Sequence, residues 1–287
     1  MTRPESVLSI GQCATLACLL EVTAPKVGNV HRGADFDNLT FNDFVVSAIA
    51  FGPAMEGAAT TGIGRAVYDA IAATRNLVST NTNLGMALLI APLAAVPRSE
   101  TLTPPAVNRA LHSMTAEDSR RVYEAIRQAQ PGGLGRVESM DITDQPPANL
   151  LAAMQAAAHR DLVARQYVEN FRLVLENALP ALVAGRQQGW SLTETIIHTH
   201  IKLIAEHGDS LIARKCGPEL AERASAIARH VLDCGGPGDE PYFEAAADFD
   251  FWLRSDRNRR NPGTTADLVA AALFAGLRDG LLPPPWR

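Results

Sequence analysis

Apolar positions along this chain recur at steps of three and four residues, and β-branched residues rarely alternate with polar ones. That is the spacing of helices, not of strands. Ser6 to Val22 reads as a first helix that ends before Pro25. After a polar loop, Thr40 is placed to cap a second helix, with Asp43 at its third position and Phe41, Phe44, Val45, Ala48 and Ile49 on one face. Gly62 and Gly64 break that run. Val67, Ile71, Thr74 and Val78 line the next helix, which stops at Ser79-Thr80-Asn81-Thr82-Asn83, a cluster that prefers caps and turns. From Leu84 to Val96 the chain is apolar on every side, which predicts a helix in the middle of the molecule.

The second half follows the same rule. Thr103 to Gln130 predicts two short helices joined near Ser113. Pro131 to Pro147, rich in Gly, Pro and Asp, reads as a long irregular connection. Ala148 to Gly189 predicts helix, with Val163, Tyr167, Phe171, Val174 and Ala178 on one face and a kink or stop at Pro180. Ser191, with Glu194 three residues on, caps a helix that Gly208 interrupts, and another runs from about Pro218 to Leu232. Gly235-Gly236-Pro237-Gly238 is a break. A helix through Asp248 and Trp252, a loop from Arg257 to Thr265 and a last helix through Leu268, Ala271, Ala272 and Ala275 complete the chain. The pattern predicts an all-α fold, a single-domain multi-helix bundle over residues 1–287.

Composition narrows the function classes. Net charge is −5 and the pI about 5.8, so there is no basic footprint and no nucleic-acid partner is expected. Cys13, Cys18, Cys216 and Cys234 form no C-x-x-C pair, which favours a reducing compartment. The N-terminus lacks the order of a signal peptide, and the most apolar stretch is too short to span a membrane. A cytoplasmic protein with no membrane partner is the expectation. A homodimer is left open.

Four polar segments fall at helix ends: Pro25–Asp37, Ser79–Gly85, Glu206–Lys215 and Arg257–Asp267. Helix ends on one side of a bundle converge, and their free N–H groups attract anions. One composite site is one reading; ordinary helix termini are the other. Lys26 is one of three lysines in a chain that otherwise prefers arginine, and beside a Gly-containing turn it suits a phosphate oxygen. Arg32 can add a bidentate contact. Asp35 and Asp37 can both reach one Mg²⁺ in a turn, or can simply complement a helix dipole. His198 and His200, two apart on a helix, face different ways and make a poor metal pair. His207-Gly208-Asp209, at the helix break, is more promising. Gly62-x-Gly64 lacks the third glycine and the preceding strand of a dinucleotide fingerprint. Arg257, Arg259 and Arg260 suit a phosphate clamp or a solvated face.

The segments themselves carry a resemblance. PKVGNVHR followed by GADFD resembles PKPGLVDR and GAHxDMD of the triphosphoribosyl-dephospho-CoA synthase family, which makes the prosthetic-group precursor of citrate lyase and malonate decarboxylase. Asn81-Thr82-Asn83-Leu84-Gly85 is similar to its N-T-H-K-G, GDSLIARKCG (Gly208 to Gly217) to its D-T-N-x-x-x-R-x-G, and NPGTTADL (Asn261 to Leu268) to its S-P-G-G-S-A-D-L. The four occur in family order. The chain departs at Val27, at His31, and at Asn83 and Leu84, where the family has His and Lys.

The resemblance implies an all-α fold with its active site at converging helix-end loops, ATP as substrate and Mg²⁺ as cofactor. The implied reaction displaces adenine from the ribose of ATP and joins the triphosphoribosyl group to the 2′-hydroxyl of dephospho-CoA. It implies Asp35 and Asp37 as catalytic carboxylates or metal ligands, and Lys26, Asn29, Arg32, Asn81, Thr82, Asn83, Asp209, Arg214 and Asp267 as nucleotide or phosphate contacts. The departures leave two alternatives: ribosyl-phosphate transfer to, or binding of, a pterin-like cofactor in tetrahydromethanopterin-linked metabolism, and non-catalytic nucleotide binding. A third, hydrolysis of an N-ribosyl bond, needs only the same carboxylates and water.

Overall fold

The computed structural model describes residues 7–131 and 142–286. Among these there are fifteen α-helices and no β-strand. The N-terminal helices are α1 (Ile10–Thr23), α2 (Phe41–Glu56), α3 (Ala58–Thr61), α4 (Ile63–Arg75), α5 (Leu84–Ala95), α6 (Pro104–His112) and α7 (Ala116–Ala129). The C-terminal helices are α8 (Leu150–Ala157), α9 (Leu162–Val168), α10 (Leu179–Gln187), α11 (Leu192–His207), α12 (Ser210–Cys216), α13 (Pro218–Asp233), α14 (Glu240–Arg254) and α15 (Gly263–Arg278).

The start signals read from sequence act as expected. Thr40 and Asp43 form a reciprocal capping box, as do Ser191 and Glu194. Each satisfies two N–H groups that a helix start leaves unpaired. The first helix begins at Ile10, because Ser9 rather than Ser6 is its cap. Gly62 ends α3 with φ 92°, a conformation that glycine adopts freely. Gly64 lets α4 meet α7 closely: a Cβ there would lie 2.3 Å from the Asp118 backbone, and its N–H donates to the Asp118 carboxylate. That contact, not a dinucleotide, is what the glycine pair serves.

Two helices form the centre. Nearly every residue of α5 is buried, as is α15 from Thr264 to Arg278 apart from Asp267. Pro92, inside α5, has no N–H to give Leu88, and the Tyr167 hydroxyl donates to that carbonyl instead at 2.7 Å. One large apolar cluster surrounds these helices, and a smaller one joins α11, α13 and α14.

The stretch from Ala148 to Gly189 is not one helix with a kink. Helix α8 ends at Ala157, and Asp161 caps the next helix by accepting from the N–H groups of Val163 and Ala164. Asn170 and Phe171 then turn with positive φ, and Leu173–Ala178 forms a π-helical segment before Pro180. Burial of Phe171 and Tyr167 in the main core overrides the local preference there. Of the connection expected at Pro131 to Pro147, residues 132–141 lie outside those described.

Candidate active site

A cavity of about 470 Å³ opens where helix ends converge. Each of the four polar segments contributes to it: Asn29 from the first, Asn81, Thr82 and Asn83 from the second, Arg214 from the third and Asp267 from the fourth. Its other wall is apolar, built from Tyr123 and Ile126 of α7 and Leu150 and Met154 of α8.

The first loop is fastened from behind. Gly28 turns with φ 74° and donates to Asp250 of α14 at 2.7 Å. A Cβ at Gly28 would come within 2.8 Å of Leu253 and Pro262. Arg254 bridges Asp250 and the Asn29 carbonyl. Asn29 in turn donates to Asn261 at 2.5 Å, tying the first and fourth segments together across the cavity wall. Asn81 accepts from the N–H of Leu84, the first residue of α5, whereas Thr82 shares a hydrogen bond with Ser47 and Asn83 donates to Thr74.

The structure does not bring every expected residue to the cavity. Lys26 is fully enclosed (0 % exposed), its ammonium on the Glu21 carboxylate at 2.8 Å and on the carbonyls of Glu21 and Ala24. It cannot touch a ligand, because all three of its N–H donors are engaged inside the protein. Arg32, Asp35 and Asp37 are exposed on tight turns beside the mouth, and Asp35 accepts from the N–H of Phe41 at the start of α2. Asp209 is buried behind the wall. It caps α12 through Leu211 and Ile212 and accepts from the N–H and hydroxyl of Thr265. Burial still raises its carboxyl above the ordinary range.

The pair His198 and His200 is also accounted for. His200 is buried and held neutral by burial and by the charge of Lys26. His198 packs against Trp190 and Tyr242. Arg259 and Arg260 lie near Asp256, and Arg260 stacks on Trp252, so the arginine run is not a clamp at this cavity. Among the described residues, no group of three or more metal-ligating side chains converges.

Cations in the wall come instead from Arg160, Arg214 and Lys215. Arg214 pairs with Asp161 at 3.0 Å, and its Nε is buried without a partner among the described residues. Burial, then the charge of Arg214, lowers the Lys215 ammonium. Lys215 stands six residues after Asp209, the spacing of Arg from Asp in D-T-N-x-x-x-R-x-G; counting that register finds it, whereas Arg214 is one residue short. Arg160 and the apolar wall carried no such signal, since apolar residues at helical spacing read as core.

Asp267 has the most perturbed surroundings. It is half-buried in the first turns of α15, and no hydrogen bond holds its carboxylate among the described residues. Burial, then the charges of Glu21, Asp209 and Asp161, hold its carboxyl well above the usual range, against the pull of Arg214. Its neighbour is the start of α5: a Cβ at Gly85 would fall 1.9 Å from the Asp267 Oδ2. A raised, unbonded carboxylate facing a cavity with cations has the surroundings of a reactive group, not of a structural one.

A crystal structure from Archaeoglobus fulgidus, bearing the name triphosphoribosyl-dephospho-CoA synthase, superposes with a TM-score of 0.65 at 24% identity, covering 82% of this chain and 99% of that one. That likeness shows the fold. No curated protein matches the chain. The ATP:dephospho-CoA triphosphoribosyl transferase family matches residues 8–283, nearly the whole length. The chain therefore belongs to that family, and it is a transferase that moves the triphosphoribosyl group of ATP to dephospho-CoA.

Proposed function

We propose that the transfer takes place in this cavity, with Asp267 as the carboxylate beside the reacting sugar. The observation that carries the reading is Asp267 itself: a carboxyl raised by burial and, among the described residues, free of hydrogen bonds, in the wall that also holds Arg214 and Lys215. In the reaction, the bond from the ribose C1′ to adenine breaks and a bond from C1′ to the acceptor 2′-oxygen forms. The acceptor hydroxyl gives its proton to Asp267, and the departing adenine takes up a proton. The carboxylate charge also favours the cationic sugar of an oxocarbenium-like transition state. Arg160, Arg214 and Lys215 hold the triphosphate. Tyr123, Ile126, Leu150 and Met154 offer an apolar surface for a base or for the chain of the acceptor.

A magnesium ion that travels with a triphosphate needs only one or two protein carboxylates. The exposed pair Asp35 and Asp37 fits that demand, on turns whose neighbours Asn38 and Leu39 line the cavity. There it would neutralise phosphate charge.

The test is adenine release, followed by chromatography, from ATP and dephospho-CoA with Mg²⁺. Wild-type protein should release adenine only when the acceptor is present, and Asp267→Asn should not. Near-normal turnover in Asp267→Asn would remove this residue from the chemistry.

A further inference from the structure

Helix α14 packs inward through Tyr242, Ala246, Phe249 and Leu253, the spacing of one buried helix face. On the opposite side Phe243, Ala247 and Phe251 follow one another at steps of four, and all three are exposed, Phe243 to 49 % and Phe251 to 75 %. Large aromatic side chains left in water along one stripe mark an interaction surface. Charge is divided along the same face. Glu240 stands at the N-terminal end of the helix, and Arg257 and Arg259 follow its C-terminal end, all three exposed. No side-chain partner holds Glu240 or Arg257 among the described residues, and Arg259 reaches only Asp256, at 3.4 Å. Arg254 is committed to Asp250 and to the Asn29 carbonyl.

We propose that the chain forms a two-fold dimer through α14, a second copy of the same helix covering the aromatic stripe. The face is complementary to itself when the two helices run antiparallel about an axis at Ala247. Phe243 then meets Phe251 of the partner subunit, because each lies four positions from the axis, about 6 Å along a helix. Ala247 carries only a methyl group, so the helix axes can approach to roughly 8–10 Å and the two phenylalanine pairs close on either side. Such a contact is isologous: one patch serves both copies. The same two-fold carries Glu240 to the end of the facing helix, where Arg257 and Arg259 stand. A parallel pair would set acid against acid and arginine against arginine. Glu244 and Asp248 lie beside the stripe, at the rim, where water screens them. A second copy is thus the occupant that matches both the aromatic spacing and the division of charge.

The experiment is sedimentation equilibrium of the full chain at loading concentrations from about 1 to 200 µM, the range in which weak dimers dissociate. One helix pair falls at the low end of specific interfaces, below about 1,200 Å² in all, so the wild-type dimer should come apart on dilution. Phe251→Ser should weaken it about 30-fold, the effect of removing a central aromatic anchor. Its melting temperature should not change, since this side chain is exposed in the single copy. Glu240→Arg and Arg257→Glu should each weaken the dimer at least about tenfold, because each sets like charges together at both ends. Mixed in equal amounts, these two variants should form a heterodimer as strong as the wild-type dimer, each reversed charge meeting its opposite. A monomer at every concentration, an assembly of more than two copies, or a dimer indifferent to Phe251→Ser would overturn the proposal. So would a mixture of the charge variants that associates no better than either alone.

Discussion

The turns before α2 and the junction of α5 with α15 both display carboxylates, and their surroundings treat them in opposite ways. Asp35 and Asp37 stand in water, one of them engaged with the start of a helix. Asp267 sits half-buried, without a hydrogen bond among the described residues and among other negative groups, close enough to Gly85 that a Cβ there would meet its carboxylate. Water screens the first pair and lowers the cost of their charge; partial burial concentrates the field around the second. A carboxylate becomes chemically useful through what surrounds it, and a charge-rich sequence is a poor guide to that.

The largest effect that would break this contrast concerns Asp267. Asp267→Asn should lower kcat by about 100- to 10,000-fold, the range for a general base, with the melting temperature little changed. In wild-type protein the acid limb of kcat/KM should lie above the ordinary carboxylate range, since burial raises this group. Any residual activity of the variant should lack that limb. Next, Lys26→Met should cost about 3–5 kcal/mol of stability by stranding the Glu21 carboxylate, whereas Arg32→Ala should change it by less than about 0.5 kcal/mol. Denaturant unfolding separates the two, and equal effects would mean that Lys26 is not enclosed. Gly85→Ala should reduce kcat by about 100-fold, the cost of displacing a catalytic group by roughly 1 Å. Lys215→Met should raise the KM for ATP by about tenfold, the loss of one charge-assisted contact, at nearly constant kcat. Smallest should be Asp35→Asn, which keeps the capping acceptor; its effect should show mainly as a higher Mg²⁺ requirement in steady-state assays.

The same contrast explains what could be read from the sequence. Helix starts were legible because a capping box such as Thr40 with Asp43 is complete within four residues. The all-α architecture and the central place of α5 followed from periodicity and from apolarity on every side. The turn at Asn170 and Phe171 was not legible, since it depends on packing against residues distant in the chain. At the site, Asn29, Asn81, Thr82, Asn83, Arg214 and Asp267 line the cavity as their segments suggested. Lys26 looked like a phosphate ligand because composition reports that a lysine is rare and says nothing of its depth. Glu21 drew no notice inside an ordinary helix, and the apolar wall from α7 and α8 looked like core.

The fit between Gly85 and Asp267 offers a way to sort relatives by reading one position. If Asp267 carries the transfer, a relative with a larger residue where Gly85 stands must hold its carboxylate in a different place. That single letter therefore marks which relatives share this placement of the carboxylate.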